Sequence, residues 1–317
     1  MRASLLVAEN TMPSVVEVPT PEAGAGEVLV KVSVSGINFA DTMMRRGTYG
    51  TKPKFPFIPG FEFSGVVTKA AGPWSEGDRV MGMGASCYAE YVVAPAAALL
   101  PAPAGFSDEE AAAFPVIYLT AMAMLRLLVN AAEGESILIT AAAGGVGTAS
   151  IQLAKALGLT VIAAAGSEHK LALARSLGAD LALNYTERDL TEPVKSFTGG
   201  RGVDIVFEST GGDALDRDLA LAAPFGRIVI FGAAGGPSPD LNVMKLFRNS
   251  VSVAGFWLTT LTQNQDVMNA VVGELVELVD RHDIRPVIGG VYDLDQAARA
   301  WQDMEARHST GKLLLKP

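Results

Sequence analysis

The residues best placed to do chemistry form the small-residue turn Ala142-Ala143-Gly144-Gly145-Val146-Gly147. It lies between the apolar run Ile137–Ile139 and a helical pattern carrying Val146, Ile151, Leu153, Ala154 and Leu157. Strand, turn and helix at this spacing make a dinucleotide fingerprint in which alanine replaces the first glycine. Gly144 lets backbone approach a pyrophosphate, Gly147 lets the helix pack close to the strand, and unpaired N–H groups of the first helical turn face the phosphates. Ala143, Gly144, Gly145, Val146 and Gly147 are therefore candidate cofactor residues. A glycine-rich turn alone fits a tight connection equally well, so the context decides.

That context is a run of strands and helices. Thr160–Ala165 reads as a second strand, Glu168–Leu177 as a second helix and Leu181–Leu183 as a third strand; Val203–Phe207, Arg227–Phe231 and Val251–Phe256 add three more. Six strands with helical segments after most of them form the doubly wound pattern of an α/β fold. An NAD site places an acid at the end of the second strand, to take the ribose hydroxyl. Here the strand ends Ala164-Ala165-Gly166-Ser167, so a 2′-phosphate would not be repelled. Ser167, Lys170 and Tyr185 offer donors for one, and NADPH is the expected cofactor. A solvated lysine and a surface tyrosine would account for the last two as well, and Glu168 points mildly that way.

A chain of 317 residues, 49% apolar, is long enough for two ordinary domains. A net charge of −9 disfavours nucleic acid or an anionic membrane surface as partner. With Cys87 as the one cysteine, an intrachain disulfide is impossible and a thiolate zinc lobe lacks ligands. The N-terminus has no signal-peptide layout, and the uncharged stretch Ala111–Leu125 is broken by Pro115 and shorter than the roughly 20 residues a spanning helix needs. The expected setting is cytoplasmic.

The first hundred residues are mostly strand and turn: Leu5–Val7, Val15–Val18 and Val28–Val34, then a short helix over Asn38–Arg46, a Gly47–Gly50 loop, and further strands over Phe57–Val67 and after Gly77-Asp78. They suggest a compact β-barrel-like unit. Beyond the βα region, Gln263–Arg281 is an amphipathic helix, Pro286–Tyr292 a strand, Asp295–Arg307 a helix with Ala297, Ala298, Trp301 and Met304 on one face, and Lys312–Leu315 a closing strand. Those are core patterns with no chemistry assigned.

The segments INFADTMMRRGTYG, FPFIPGFEFSGVV, GDRVMG, YLTA, AAAGGVGTASIQLAKALG and GKLLL resemble, essentially end to end, the quinone oxidoreductase or zeta-crystallin-like branch of the medium-chain dehydrogenase/reductase superfamily. The resemblance implies a GroES-like β-barrel catalytic domain from residues 1–118 and 260–317, a Rossmann doubly wound parallel sheet over 119–259, and a cleft for NADPH. It also implies a homodimer joined through the last Rossmann strand, Val251–Phe256. Zinc-using relatives carry cysteine where this chain has Asn38, and histidine where it has Phe61 beside Glu62. Phe61 has no lone pair and an asparagine amide is a poor zinc ligand, so no metal is expected. His169, His282 and His308 read as surface residues.

Without a metal, the remaining chemistry is hydride delivery to an acceptor already electrophilic, a quinone or an α,β-unsaturated carbonyl compound. Charge develops on the acceptor oxygen, so donors are needed there. Asn38, at the former ligand position, and Tyr49, in the GTYG loop, are the expected catalytic donors; Asn38 is also placed near the nicotinamide ribose. Helix capping by Asn38, and packing of Tyr49 on Pro53 or Phe55, are the structural alternatives. Asp41 reads as a structural carboxylate. Thr120 resembles the family threonine beside the nicotinamide, with a bond back into its own helix as the alternative. Gly211, Phe231, Gly232, Phe256 and Trp257 stand at strand ends that would line the cofactor, and Phe39, Tyr49 and Phe61 would favour a flat acceptor. An enoyl thioester would want a basic patch, for which Arg45, Arg46, Lys52 and Lys54 are the candidates. A non-catalytic dinucleotide sensor or structural protein also fits the resemblance.

Overall fold

The computed structural model describes residues 1–50, 53–237 and 240–317. The chain divides into two compact units, Met1–Ile117 with Pro286–Pro317, and Tyr118–Arg285. The chain opens with β1 (Arg2–Leu5) and β2 (Ser14–Glu17), paired antiparallel. The first strand lies upstream of the expected Leu5–Val7, because Ala3 and Leu6 face the core whereas Val7 is exposed. In β3 (Glu27–Ile37), Val28, Val30, Val32 and Val34 alternate inward, the period-two signature of a sheet face. Helix α1 (Phe39–Arg45) starts where Asn38 turns extended and its N–H is taken by the Asp41 carboxylate at 2.8 Å. Pro59 and Gly60 delay the next strand, so β4 spans Glu62–Lys69.

There follow β5 (Arg79–Met83), β6 (Tyr91–Pro95), β7 (Leu99–Pro101), α2 (Asp108–Ala113) and α3 (Pro115–Ala123). Pro115 stands at the first position of α3, where its missing N–H costs nothing. The βα series runs β8 (Ser136–Ile139), α4 (Gly145–Ala156), β9 (Thr160–Ala165), α5 (Glu168–Ser176), β10 (Leu181–Asn184), α6 (Thr191–Phe197), β11 (Val203–Glu208), α7 (Ala214–Leu221), β12 (Ala222–Ile230), α8 (Met244–Phe247) and β13 (Ser252–Gly255). After α9 (Leu258–Thr262) and α10 (Gln265–His282), the chain ends with β14 (Ile288–Asp293), α11 (Ala297–Glu305) and β15 (Lys312–Lys316).

In the first unit the sheet order is β14-β15-β3-β4-β5-β7, with β6 also paired to β3. The C-terminal tail thus enters the sheet of the N-terminal segment. Residues 260–285, grouped with this domain on sequence, fall in the second unit. The reason is α10: it buries Val271, Leu275, Leu278 and Val279, and Gln152 of α4 bonds the Arg285 backbone just past its end, at 3.0 Å to the carbonyl and 3.3 Å from the N–H.

The second unit holds the sheet β10-β9-β8-β11-β12-β13, parallel throughout. Numbered within the unit, that is the 3-2-1-4-5-6 order of a Rossmann fold. Ile137–Ile139 and Val161–Ala164 are wholly buried, as strands covered by helices on both faces must be. Among the described residues, no helix is long and apolar enough to cross a membrane.

Candidate functional site

Because the six strands of the second unit are parallel, their carboxyl ends share one edge of the sheet. Every sequence-predicted cofactor residue on the sheet follows one of those ends: the glycine turn after β8, Ser167 after β9, Tyr185 after β10, Gly211 after β11, Phe231-Gly232 after β12 and Phe256-Trp257 after β13. Strand β8 has β9 on one side and β11 on the other, so the chain reverses its direction of winding there, which is where such sheets bind ligands. The turn itself is tight. Gly144 stands at the N-cap of α4 and its N–H donates to Ala141 O at 2.9 Å. A Cβ on Gly147 would lie 2.6 Å from Ala141 O, so the helix sits against the turn as only glycine allows.

At the β9 tip, Tyr185 leans over Gly166, its phenol oxygen 3.1 Å from where a Cβ would stand. Ser167 is extended at the N-cap of α5 and Lys170 lies half-buried in the first turn. Glu168 is exposed and turned to Arg175 at 2.5 Å. Thr120 is buried in α3, and among the described residues its hydroxyl has no partner, so it makes no bond back into its helix.

Sequence reasoning missed Glu208. This buried carboxylate at the end of β11 accepts from the N–H and hydroxyl of Thr210 and, at 2.9 Å, from the N–H of Gly211, so it shapes the turn beside the glycine loop. Arg217 bonds Glu208 at 3.1 Å and Asp218 at 2.8 Å. Burial pushes the Asp218 carboxyl up to about 7, Arg217 opposing and the Glu208 charge adding.

The first unit gathers a second polar group. Asn38 stands at the N-cap of α1, where its own N–H is taken by the Asp41 carboxylate in a capping box. Its Oδ1 accepts from Lys312 Nζ at 2.6 Å and its Nδ2 donates to Glu62 Oε1 at 2.8 Å. Lys312 Nζ also pairs with Glu62 Oε1, and Glu62 Oε2 accepts from the Val116 N–H at 2.7 Å. Lys312 is 2% exposed and Glu62 is 0%, so the ion pair is a buried one. The signal available in sequence was a charge in each of two apolar strands, Glu62 between Phe61 and Phe63 and Lys312 before Leu313.

In the first turn of α1, Asp41 accepts from the N–H of Asn38 at 2.8 Å, the N–H of Gly60 at 3.2 Å and the Tyr88 hydroxyl at 2.8 Å, and Trp301 Nε1 donates to Tyr88 at 3.3 Å. Asp41 is thus the structural carboxylate that was expected. Its value nevertheless departs from an ordinary one: burial raises it to about 6, against those donors and the Lys312 charge, all of which favour the ionised form.

Tyr49 packs on Phe61, with ring centroids 5.9 Å apart. The three histidines are exposed. The basic patch considered for an enoyl thioester is largely committed. Arg45 and Arg46 both pair with Glu305, at 2.8 and 2.7 Å; Lys54 is exposed and Lys52 lies outside the described residues.

Two family models match the chain: the alcohol dehydrogenase GroES-like domain over residues 24–104, and the zinc-binding dehydrogenase over 145–276. Quinone oxidoreductase-like protein 2 of Bos taurus is 38% identical over 317 residues, covering 98% of this chain and 91% of that protein. The chain belongs to the quinone oxidoreductase branch of the medium-chain dehydrogenase/reductase superfamily. Two solved structures place it further within that branch. The quinone oxidoreductase of Thermus thermophilus, solved alone and with NADPH, is 40% identical with a TM-score of 0.88, both chains covered in full. Escherichia coli quinone oxidoreductase complexed with NADPH is 30% identical with a TM-score of 0.90, over 100% of this chain and 99% of that one. The protein is thus an oxidoreductase with the architecture expected of the branch, a GroES-like unit and a Rossmann unit.

Proposed function

We propose that this chain passes hydride from NADPH to a quinone-type acceptor without a metal ion. The observation that carries the metal-free reading is the buried Lys312 ammonium. It bonds Asn38 and Glu62, so a dication placed on those two side chains would meet a fixed positive charge, and Phe61 beside them has no lone pair. The donor set does not fit zinc, and no step here runs through it.

Bound NADPH supplies two electrons as hydride. The residues of this chain do the rest. Backbone N–H groups of the 143–147 turn, other than that of Gly144, hold the pyrophosphate, while Ser167, Lys170 and Tyr185 take the 2′-phosphate at a strand tip that carries no acid. Gly211, held by Glu208, lines the cofactor with Phe231, Gly232, Phe256 and Trp257, and the Thr120 hydroxyl meets the nicotinamide. Asn38 donates its remaining amide N–H to the oxygen that gains charge or to the nicotinamide ribose. Tyr49 donates a second hydrogen bond or stacks on a flat ring. The final proton on the reduced acceptor comes from water. A reducing cytoplasm suits Cys87, whose thiol is buried and pushed well up by that burial.

The test is a steady-state assay of NADPH and NADH loss with a benzoquinone, a naphthoquinone, a cyclic enone, an alkenal and an enoyl thioester. Quinones are expected to turn over fastest, with a KM for NADPH about 10- to 100-fold below that for NADH, the worth of one or two charge-assisted hydrogen bonds to the 2′-phosphate. Preference for the enone or alkenal would change the acceptor class and keep the site. Tight NADPH binding with no consumption would replace the enzyme by a sensor or structural protein.

The assembly we infer is a homodimer. Strand β13 is one of the two edge strands of the Rossmann sheet, and Phe225, Val243, Met244 and Phe247 are exposed on the elements next to it. Light scattering should give twice the chain mass at working concentration; a monomeric mass would reject the dimer.

A further inference from the structure

The Lys312–Glu62 pair is a buried ion pair that takes no direct part in hydride transfer. Two charges withdrawn from water need close pairing and further hydrogen bonds to break even. The further hydrogen bonds go to the Val116 N–H and to Asn38. Space has also been cleared for the pair. A Cβ on Gly36, which faces Glu62 across β3 and β4, would stand 2.6 Å from Glu62 Cγ and Oε1.

The consequence falls on the Asn38 amide. The oxygen and nitrogen ends of a side-chain amide have nearly the same shape, so packing alone scarcely distinguishes the two flips. Here the oxygen meets an ammonium at 2.6 Å and the nitrogen meets a carboxylate at 2.8 Å. The reversed amide would face NH2 with the ammonium and C=O with the carboxylate, losing two charge-assisted bonds for two repulsions. One Nδ2 hydrogen is consumed by Glu62. Among the described residues the other has no acceptor in the protein.

We propose that Lys312 is a positioning residue for Asn38: paired with Glu62, it fixes the amide with its oxygen inward and one N–H uncommitted, and it polarises that N–H through the oxygen. The inference rests on the reading of Asn38 as a donor in hydride transfer. A cation on the carbonyl oxygen draws density from the amide nitrogen, and linked hydrogen bonds strengthen one another by about 10–30% each. The charge of the ammonium reaches the reacting oxygen through the amide rather than by contact. Strand order brings the parts together, because β15 and β4 flank β3, whose end leads into Asn38.

Removing the ammonium alone would strand the Glu62 carboxylate, so the test variant is Lys312→Met/Glu62→Gln, which deletes both charges at similar volume. It is assayed beside Asn38→Ala, the triple variant, and Lys312→Arg, with the quinone that the wild-type enzyme turns over. The folded pair variant should show a kcat lower by about 10- to 100-fold, within the value of one preorganised donor, with KM for NADPH little changed. Adding Asn38→Ala to it should cost almost nothing more, since the three groups act as one. Lys312→Arg should recover part of the loss. Wild-type kcat in the folded pair variant, or losses that multiply in the triple variant, would overturn the proposal. If the pair variant does not fold, Lys312→Arg and Glu62→Asp keep the charges and shift the amide, and the same non-additivity with Asn38→Ala is required of them. A wild-type enzyme inactive with every acceptor would instead remove the role of Asn38, and the inference with it.

Discussion

Gly147→Val is expected to abolish measurable NADPH binding while leaving the first unit intact. The new Cβ would stand 2.6 Å from Ala141 O and 2.7 Å from both Ala142 C and Cα. Those are backbone atoms, so no rotamer change relieves the clash, and the turn must move away from α4. The same turn presents the N–H groups proposed above for the pyrophosphate. A displacement near 1 Å in such an array costs about 100-fold in a positioned interaction, and valine demands more than that. Gly273→Ala in the interior of α10 is the control. Nothing lies within 4 Å of its added Cβ, and alanine there should stabilise by about 0.5–1 kcal/mol. Binding is read by NADPH fluorescence titration and calorimetry. Affinity near wild type for Gly147→Val would mean that the phosphates sit elsewhere.

Trp301→Ala is expected to loosen the Asn38 loop although it touches no acceptor. Trp301 is fully buried in the core with Leu6, Ile37, Tyr88, Leu313 and Leu315, and its removal should cost about 3–5 kcal/mol. Its ring lies 6.2 Å from that of Tyr88 and its N–H donates to the Tyr88 hydroxyl. Tyr88 in turn holds Asp41, and Asp41 holds the N–H groups of Asn38 and Gly60. Hydrogen exchange followed by mass spectrometry should show peptides over α1, residues 57–63 and β15 losing protection, with Rossmann peptides unchanged. Trp301→Phe refills most of the space without the N–H, and should keep the packing while weakening only the bond to Tyr88. Unchanged protection of α1 in Trp301→Ala would break the chain of contacts from α11 to Asn38.

The alternation of strand and helix was legible because each element carries its own local signal. Period-two burial marks β3, the 3.6 period marks α4 and α10, and small residues mark the turn at 142–147. The doubly wound parallel arrangement followed as well, since right-handed βαβ crossovers leave such a sheet few alternatives. Boundaries were less legible where burial overrides propensity, at β1 and at β4. The assignment of 260–285 needed the packing of α10, which no local pattern reports.

By itself, then, the sequence determined a Rossmann unit with a glycine turn after its first strand, a strand-rich N-terminal unit closed by the C-terminal tail, and a β9 tip without an acid. Only the tertiary structure decided what Asn38 does with its amide, because its partner Lys312 lies 274 residues away in the chain. The same holds for Tyr88 and Trp301, 213 residues apart. Local periodicity records which face of an element is apolar. It carries no information about which buried charge on one strand will meet which on another, since that depends on sheet order, register and the room left by a missing side chain at Gly36.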